Sequence, residues 1–286
     1  MCLIAFAIGA SERWPLVIAS NRDEFLDRPT LPLDRWRTAC GQEIISGRDL
    51  RAGGTWLGMT PSGRVAFLTN VREAAPKVSP FSRGELVTRW LESHSDASAF
   101  AALLEKDKHQ YGGFNLVLGD VQRNAWTWMT NRSVAPFSGW HSESLAPGVY
   151  GLSNAALDTP WPKTLALKNV LMTSLEQAVM VNSQDDSWQD PLWTALGNRA
   201  RALPDSLPTT GVSDALETAL SSAFVEFPEN GYGTRSSTVL VAGRASAPIP
   251  RQALQIHMTE QTHLRSHVDE IPATSSVSFN LLSDSF

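Results

Sequence analysis

Cys2-Leu3-Ile4-Ala5-Phe6-Ala7-Ile8-Gly9, a short link at 11–14, and then Pro15-Leu16-Val17-Ile18-Ala19-Ser20 make up the stretch whose reading sets the architecture. Both runs are almost wholly apolar and hardly alternate, as expected for strands covered on both faces. The four-residue link suits a hairpin. Working outward, 56–60 and 64–70 flank the turn cluster Pro61-Ser62-Gly63 and predict a second hairpin. Residues 114–119 and 125–130 predict a third. Ser82-Arg83-Gly84-Glu85 reads as a capping box opening a helix through about Ser93. Asp96 is placed to cap the next helix, with Phe100, Leu103 and Leu104 on one face. Pro162 suits the first turn of a helix through about Val181, and 212–224 has helical spacing. A β-branched pattern returns at 235–242, with 253–258 as the last partner strand. Residues 183–190 read as a loop and 272–286 as a loosely held tail. Hairpins and helices in this order do not alternate as βαβ units. They predict an α+β fold of antiparallel sheets covered by helices, as one domain over 1–286.

Composition narrows the function. Of 286 residues, 42% are hydrophobic and 19% charged, which excludes wholesale disorder. No apolar run approaches the ~20 residues of a membrane-spanning helix. The net charge of −5 argues against general nucleic-acid binding. The charge is uneven: residues 1–90 carry 12 Lys and Arg against 9 Asp and Glu, the remainder 12 against 20. A mildly positive first third suits an anionic small molecule, although surface arginine explains it equally well. Cys2 and Cys40 form no disulfide framework and no zinc spacing, and the N-terminus lacks a signal-peptide pattern, so a reducing cytoplasm is the expected compartment.

Cys2 is the sharpest chemical clue. Removal of an initiator methionine before a small residue would leave Cys2 with a thiol and a free amine of pKa about 7.7–8.0. One residue then supplies nucleophile and general base. The plainer alternative is a small apolar residue opening a buried strand. The second clue is Asn21-Arg22-Asp23-Glu24, directly after the second apolar run and brought near Cys2 by the hairpin. A carboxylate there can hold the amine, and a guanidinium a carboxylate or oxyanion. An ion-paired turn is the alternative.

Cys2 followed by Asn21-Arg22-Asp23-Glu24 resembles the NRDE family of transport-and-Golgi-organisation protein 2 homologues. The resemblance continues through Gly53-Gly54-Thr55-Trp56-Leu57-Gly58, Leu68-Thr69-Asn70 and Tyr111-Gly112-Gly113-Phe114-Asn115-Leu116. Gly151-Leu152-Ser153-Asn154, Pro160-Trp161-Pro162-Lys163 and Gly233-Thr234-Arg235-Ser236-Ser237-Thr238 follow, so that the blocks span roughly 1–245. Membership implies an N-terminal nucleophile (Ntn) hydrolase-like fold, two antiparallel sheets between helical layers, α-β-β-α. Similarity to cysteine amidases of the penicillin V acylase and bile-salt hydrolase type implies roles. Cys2 is the nucleophile, Asp23 holds its amine, Arg22 binds substrate or braces Cys2, Asn70 and Asn154 are oxyanion donors, and Arg235 is the late arginine. In those amidases two residues separate the early Arg and Asp, whereas Arg22 and Asp23 are adjacent. On a regular strand Asn21 and Asp23 share one face and Arg22 and Glu24 the other, which favours Asp23 as the partner of Cys2.

Asn70 and Asn154 also suit turn capping, and Arg235 suits structural pairing to a carboxylate. Gly53-Gly54 lacks the strand-to-helix context of a phosphate loop. His263 and His267 are spaced i, i+4 but have no third ligand, so no metal site is expected. Two functional readings follow. One is a cysteine-dependent hydrolase of a small amide or acyl bond that needs no cofactor. The other is a non-enzymatic carrier of haem or another hydrophobic anion, which the family's link to haem trafficking suggests. Haem would need a wide apolar cleft, with Arg22 and Arg235 on its propionates. No axial ligand is nominated, because none of the six histidines lies in the matched blocks. Asn21, Arg22, Glu24 and Arg235 are the expected ligand contacts in either reading.

Overall fold

The computed structural model describes residues 2–74, 78–133, 137, 139–183, 185–244, 254–263 and 272–281. The chain opens with β1 (Cys2–Ile8) and β2 (Leu16–Phe25), an antiparallel hairpin in register from Cys2 opposite Arg22 to Ile8 opposite Leu16. β3 (Thr30–Arg37), β4 (Glu43–Asp49), β5 (Leu57–Met59) and β6 (Arg64–Asn70) follow, then α1 (Gly84–Glu92) and α2 (Ala97–Asp107). β7 (Phe114–Asp120), β8 (Ala125–Thr130), β9 (His141–Ser144) and β10 (Gly148–Leu152) lead to α3 (Pro162–Met180), α4 (Asp190–Leu196) and α5 (Asp214–Ala219). The short β11 (Glu226–Phe227), the long β12 (Tyr232–Arg244), β13 (Leu254–Thr262) and β14 (Ala273–Leu281) complete the order.

Two antiparallel sheets result. The first runs β10-β1-β2-β12-β13-β14, with β11 beside β12, and the second runs β3 to β9 in sequence order. The apolar hairpin is explained by its two faces. Ile4, Phe6, Ile8, Leu16 and Ile18 join Phe67, Val117 and Trp128 of the second sheet in the core between the sheets. Leu3, Ala5, Ala7, Val17 and Ala19 pack against Leu167, Leu171 and Leu175 of α3 and Leu192 of α4. On the far side of the second sheet, Leu86, Val87, Trp90 and Leu91 of α1 and Phe100 of α2 cover Ala66, Leu68, Leu116 and Leu118. Each fully buried Leu, Ile, Val or Phe contributes about 1.5–3 kcal/mol of transfer free energy. The layers are therefore α-β-β-α, as expected.

Several local features differ from the sequence reading. β2 does not end at Ser20: Asn21 to Glu24 lie inside the strand, paired to β1 and β12. Their polarity resembled a turn, but cross-strand ladders on both sides hold the backbone extended. The Ser82/Glu85 capping box does not form. Arg83 is the N-cap of α1, and Glu85 instead accepts from the Tyr111 hydroxyl at 3.2 Å. Asp96 does cap α2, accepting from Ala99 N at 2.8 Å, but Leu103 is exposed. Of 212–224 only Asp214–Ala219 is helical, and α4, β3 and β4 were not anticipated. β13 is not the last strand. Where a loose tail was expected, β14 pairs with β13 along its whole length, and 282–286 lie outside the described residues. As an edge strand β14 keeps one face in solvent, so its serines disguised it. Among the described residues no helix is long and apolar enough to cross a membrane.

A candidate active site at Cys2

Side chains directly opposite one another in an antiparallel ladder share a face. The Cys2–Arg22 register therefore puts the thiol and the guanidinium together on the side facing the second sheet. They line a cavity of about 380 Å³, within the ~300–1,000 Å³ usual for small-molecule sites. β2 contributes Arg22, Asp23 and Glu24, and the end of β6 contributes Leu68 and Asn70. Thr55, Trp56, Arg28, Asp49, Glu73 and the approach to α1, from Ser79 to Gly84, complete the wall with Gly112. Gly54 seats that approach: a Cβ there would lie 2.5 Å from the Gly84 carbonyl carbon and 2.9 Å from Glu85 N. Any larger residue would push the start of α1 off the site.

Cys2 is only 7% exposed, and burial pushes its thiol pKa up. Arg22 and the Asp23 backbone N–H oppose that shift by favouring the thiolate. The Arg22 guanidinium stacks 4.2 Å over the Trp56 ring and donates to Thr30 Oγ1 at 3.3 Å. Asp23 accepts from Thr234 Oγ1 at 2.7 Å, while its carbonyl accepts from the Tyr232 hydroxyl at 2.9 Å. Burial pushes the Asp23 carboxyl up, and Lys163 restrains the shift. Lys163, in the first turn of α3, donates to Leu220 O at 2.9 Å. Burial pulls its pKa down to about 8 against the attraction of Asp23. A buried ammonium and a buried carboxyl thus underlie the cavity, each pressed toward neutrality by desolvation.

Of the expected site residues, Cys2, Arg22, Asp23, Glu24 and Asn70 line this one cavity. Arg22 and Asp23 lie on opposite faces of β2. The register gives Arg22 the face of Cys2, while Asp23 reaches the cavity wall at the strand end and acts on the Cys2 thiol through its charge and its backbone N–H. Asn154 stands one layer behind. Its Nδ2 donates to Asn70 O at 2.9 Å, and its Oδ1 accepts from Ser153 Oγ at 3.2 Å and Arg72 at 3.3 Å. Ser153 Oγ also reaches Cys2 O at 3.1 Å, so this pair positions the backbone around Cys2 and Asn70. Arg72 in turn forms a buried ion pair with Glu217 and lies 4.8 Å over the Trp161 ring.

Asn21 and Arg235 do not line the cavity. Asn21 Nδ2 donates to Leu196 O and Ala223 O, both at 2.8 Å, and its Oδ1 accepts from Ser237 Oγ at 2.6 Å. It satisfies one of the carbonyls that the end of α4 leaves open. Arg235 sits at a bulge of β12 and donates to the carbonyls of Phe25, Leu26 and Arg28, bracing the β2–β3 turn. His263 is committed to Ser237, with Nε2 2.9 Å from Oγ, and His267 lies outside the described residues. The haem expectation called for wide apolar walls, whereas the cavity beside Cys2 is lined largely by charged and polar groups. A larger and more apolar groove, about 890 Å³, lies across the first sheet between α3 and α4.

The sequence reading missed Arg83, Lys163 and the pairs Arg28–Asp49 and Glu73–Arg132 near the cavity. Lys163 did leave a signal, since it shares the four-residue spacing of Leu167, Leu171 and Leu175 and so falls on the buried stripe of α3. Arg83 left none, being hidden in the presumed capping box.

A family described as Transport and Golgi organisation 2 matches residues 1–262. The transport and Golgi organization 2 homologs of mouse and human are each 32% identical to this chain, over 253 and 255 residues, covering 84% of it and 88% of their own length. The Drosophila melanogaster protein is 28% identical over 257 residues, 84% of this chain and 87% of its own. Among solved structures, the N-acylethanolamine-hydrolyzing acid amidase ortholog of Caenorhabditis elegans superposes with a TM-score of 0.47 at 11% identity, covering 84% of this chain and 92% of that one. A conjugated bile acid hydrolase of Clostridium perfringens gives 0.46 at 8%, covering 99% and 98%.

Proposed function

The chain belongs to the Transport and Golgi organisation 2 family, and from the geometry around Cys2 we propose that it is a cysteine-dependent hydrolase of a small amide or related acyl bond. The observation that carries this reading is the Cys2–Arg22 pairing at the wall of a cavity that Asn70 also borders. In the proposed reaction Met1 has been removed, and the Cys2 amine accepts the thiol proton. Sγ attacks the acyl carbon to form a tetrahedral oxyanion, for which Asn70, at the cavity border, is the proposed donor. Collapse expels the amine or alcohol, protonated by the Cys2 ammonium, and leaves an acyl-thioester. Water, deprotonated by the same amine, attacks the thioester and releases the acid and the free thiol. Asp23, kept in place by Thr234 and attracted by Lys163, balances the ammonium charge between the two half-reactions. Asn154, Ser153 and the Arg72–Glu217 pair fix the backbone that carries Cys2 and Asn70.

The test is turnover. A panel of N-acyl amides and thioesters is incubated with the wild type and with Cys2→Ala. Release of acid by the wild type alone supports the reading, and equal release by both, or by neither across the panel, contradicts it.

A further inference from the structure

The cavity holds three arginines and four carboxylates, and their partners differ in kind. Asp49 is bound by Arg28 through Nε at 2.9 Å and Nη2 at 2.6 Å, and it also accepts from Arg51 N at 2.9 Å. Glu73 is bound by Arg132 at 2.7 Å and accepts from Gly113 N at 3.2 Å. Asp23 is held by Thr234, with Lys163 nearby. Glu24 accepts from Phe25 N at 2.9 Å and lies 3.9 Å from Arg28. Those contacts occupy Arg28 and all four acids.

Arg22 and Arg83 remain. Arg22 is 5% exposed, and among the described residues no carboxylate lies within 4.0 Å of it. Thr30 Oγ1 takes one of its five donors. Arg83 likewise has no carboxylate within ion-pair distance among the described residues, and it donates to the Gly113 carbonyl at 3.3 Å. Glu260 attracts the buried Arg22 from a distance, and Glu24 and Glu73 attract the part-buried Arg83, but among the described residues neither guanidinium has a carboxylate in contact. Withdrawing a guanidinium from water without such a contact is costly. The two approach the same cavity from different elements, Arg22 from β2 and Arg83 from the N-cap of α1. The start of α1, at Gly84, also borders the cavity, and its dipole adds partial positive charge. Cys2 lies on the same wall.

We propose that Arg22 and Arg83 form an anion-binding fork beside the Cys2 thiol, so that the substrate is a small acyl compound bearing a carboxylate or phosphate close to the bond that breaks. This deepens the hydrolase reading by naming the substrate class, and it rests on that reading. The bound oxyanion supplies both guanidiniums with an anionic partner in direct contact through charge-assisted hydrogen bonds. It also fixes the scissile carbonyl in front of Sγ.

Two alkylating agents of nearly equal size test the fork, because iodoacetate carries a carboxylate and iodoacetamide does not. In a Cys40→Ser background Cys2 is the only thiol, and each reagent transfers its CH₂ group to sulfur with loss of iodide. Rate constants are read by intact mass on the wild-type background and on Arg83→Gln, Arg83→Lys and Arg22→Lys variants, with thermal melts confirming folding. The expected result is a preference of Cys2 for iodoacetate that falls about tenfold in Arg83→Gln, the worth of roughly one charge-assisted hydrogen bond, and is partly retained in Arg83→Lys. Inorganic phosphate should protect Cys2 saturably in the wild type and not in Arg83→Gln. A preference for iodoacetamide that Arg83→Gln leaves unmoved overturns the fork while leaving the nucleophile standing. A native Cys2 inert to both reagents contradicts the hydrolase reading instead. The fork is then decided by melting in phosphate: a rise in Tm present in the wild type and absent in Arg83→Gln supports it, and no difference overturns it.

Discussion

One strand, two faces, two outcomes: the contrast within Asn21–Glu24 of β2 organises the molecule. On the helix-facing side, Asn21 spends its amide on two backbone carbonyls and a serine, and Asp23 is held by Thr234 with Lys163 nearby. On the side facing the second sheet, Arg22 is buried, stacked on Trp56, and among the described residues its guanidinium donates to Thr30 alone. Saturated polar groups hold a fold together; buried groups with unspent valence wait for a ligand. The alternation of a strand is what allows four consecutive polar residues to serve both purposes.

The largest effect expected from breaking this contrast is on the cavity side. Cys2→Ser should lower turnover on the order of 10³-fold or more and leave the denaturation midpoint nearly unchanged, because the hydroxyl replaces the thiol with little change of volume. On the helix side the effects should reverse. Asn21→Ala exposes the Leu196 and Ala223 carbonyls as unsatisfied buried acceptors and should cost about 3 kcal/mol in urea unfolding. The fraction that remains folded should still alkylate at Cys2 at the wild-type rate; a selective loss of that rate would move Asn21 into the site. Arg235→Ala should cost about 1–2 kcal/mol, discounted because the side chain is only half-buried, with turnover retained. A large rise in KM without loss of stability would restore the ligand-binding role that its position in the sequence suggested.

The smallest effect is a pH dependence on the helix side. His263 is held near neutrality by burial, with the positive charge of Arg199 adding to the shift, and its pKa is pulled down to about 4. Its unfolded value is about 6.5. Between those values the unfolded chain binds the extra proton, so this contribution is fully present above pH 6.5 and is lost as pH falls toward 4. His263→Asn should flatten stability against pH within that window and nowhere else, as followed by thermal melts at successive pH values.

The sandwich was legible in the sequence because strands covered on both faces leave unbroken apolar runs, as at Cys2–Ile8. Edge strands were not. β3 and β14 keep a polar face and resemble loops until their partners are known. The site was legible as a set of residues but not as an arrangement. Nothing in Asn21 to Glu24 says which face Cys2 will share, because that is set by hairpin register, and a shift of one residue would exchange Arg22 for Asp23. Arg83 was invisible for a related reason. Its role depends on Gly54 allowing α1 to begin against a strand end some thirty residues earlier in the chain.

The central claim is that Cys2 acts with its own amine, and intact-mass measurement of untagged, natively expressed protein tests it most directly. The expected mass is short of Met1, with a single acyl adduct on the first residue when substrate is trapped by rapid acid quenching. A folded protein that retains Met1 in full would contradict it.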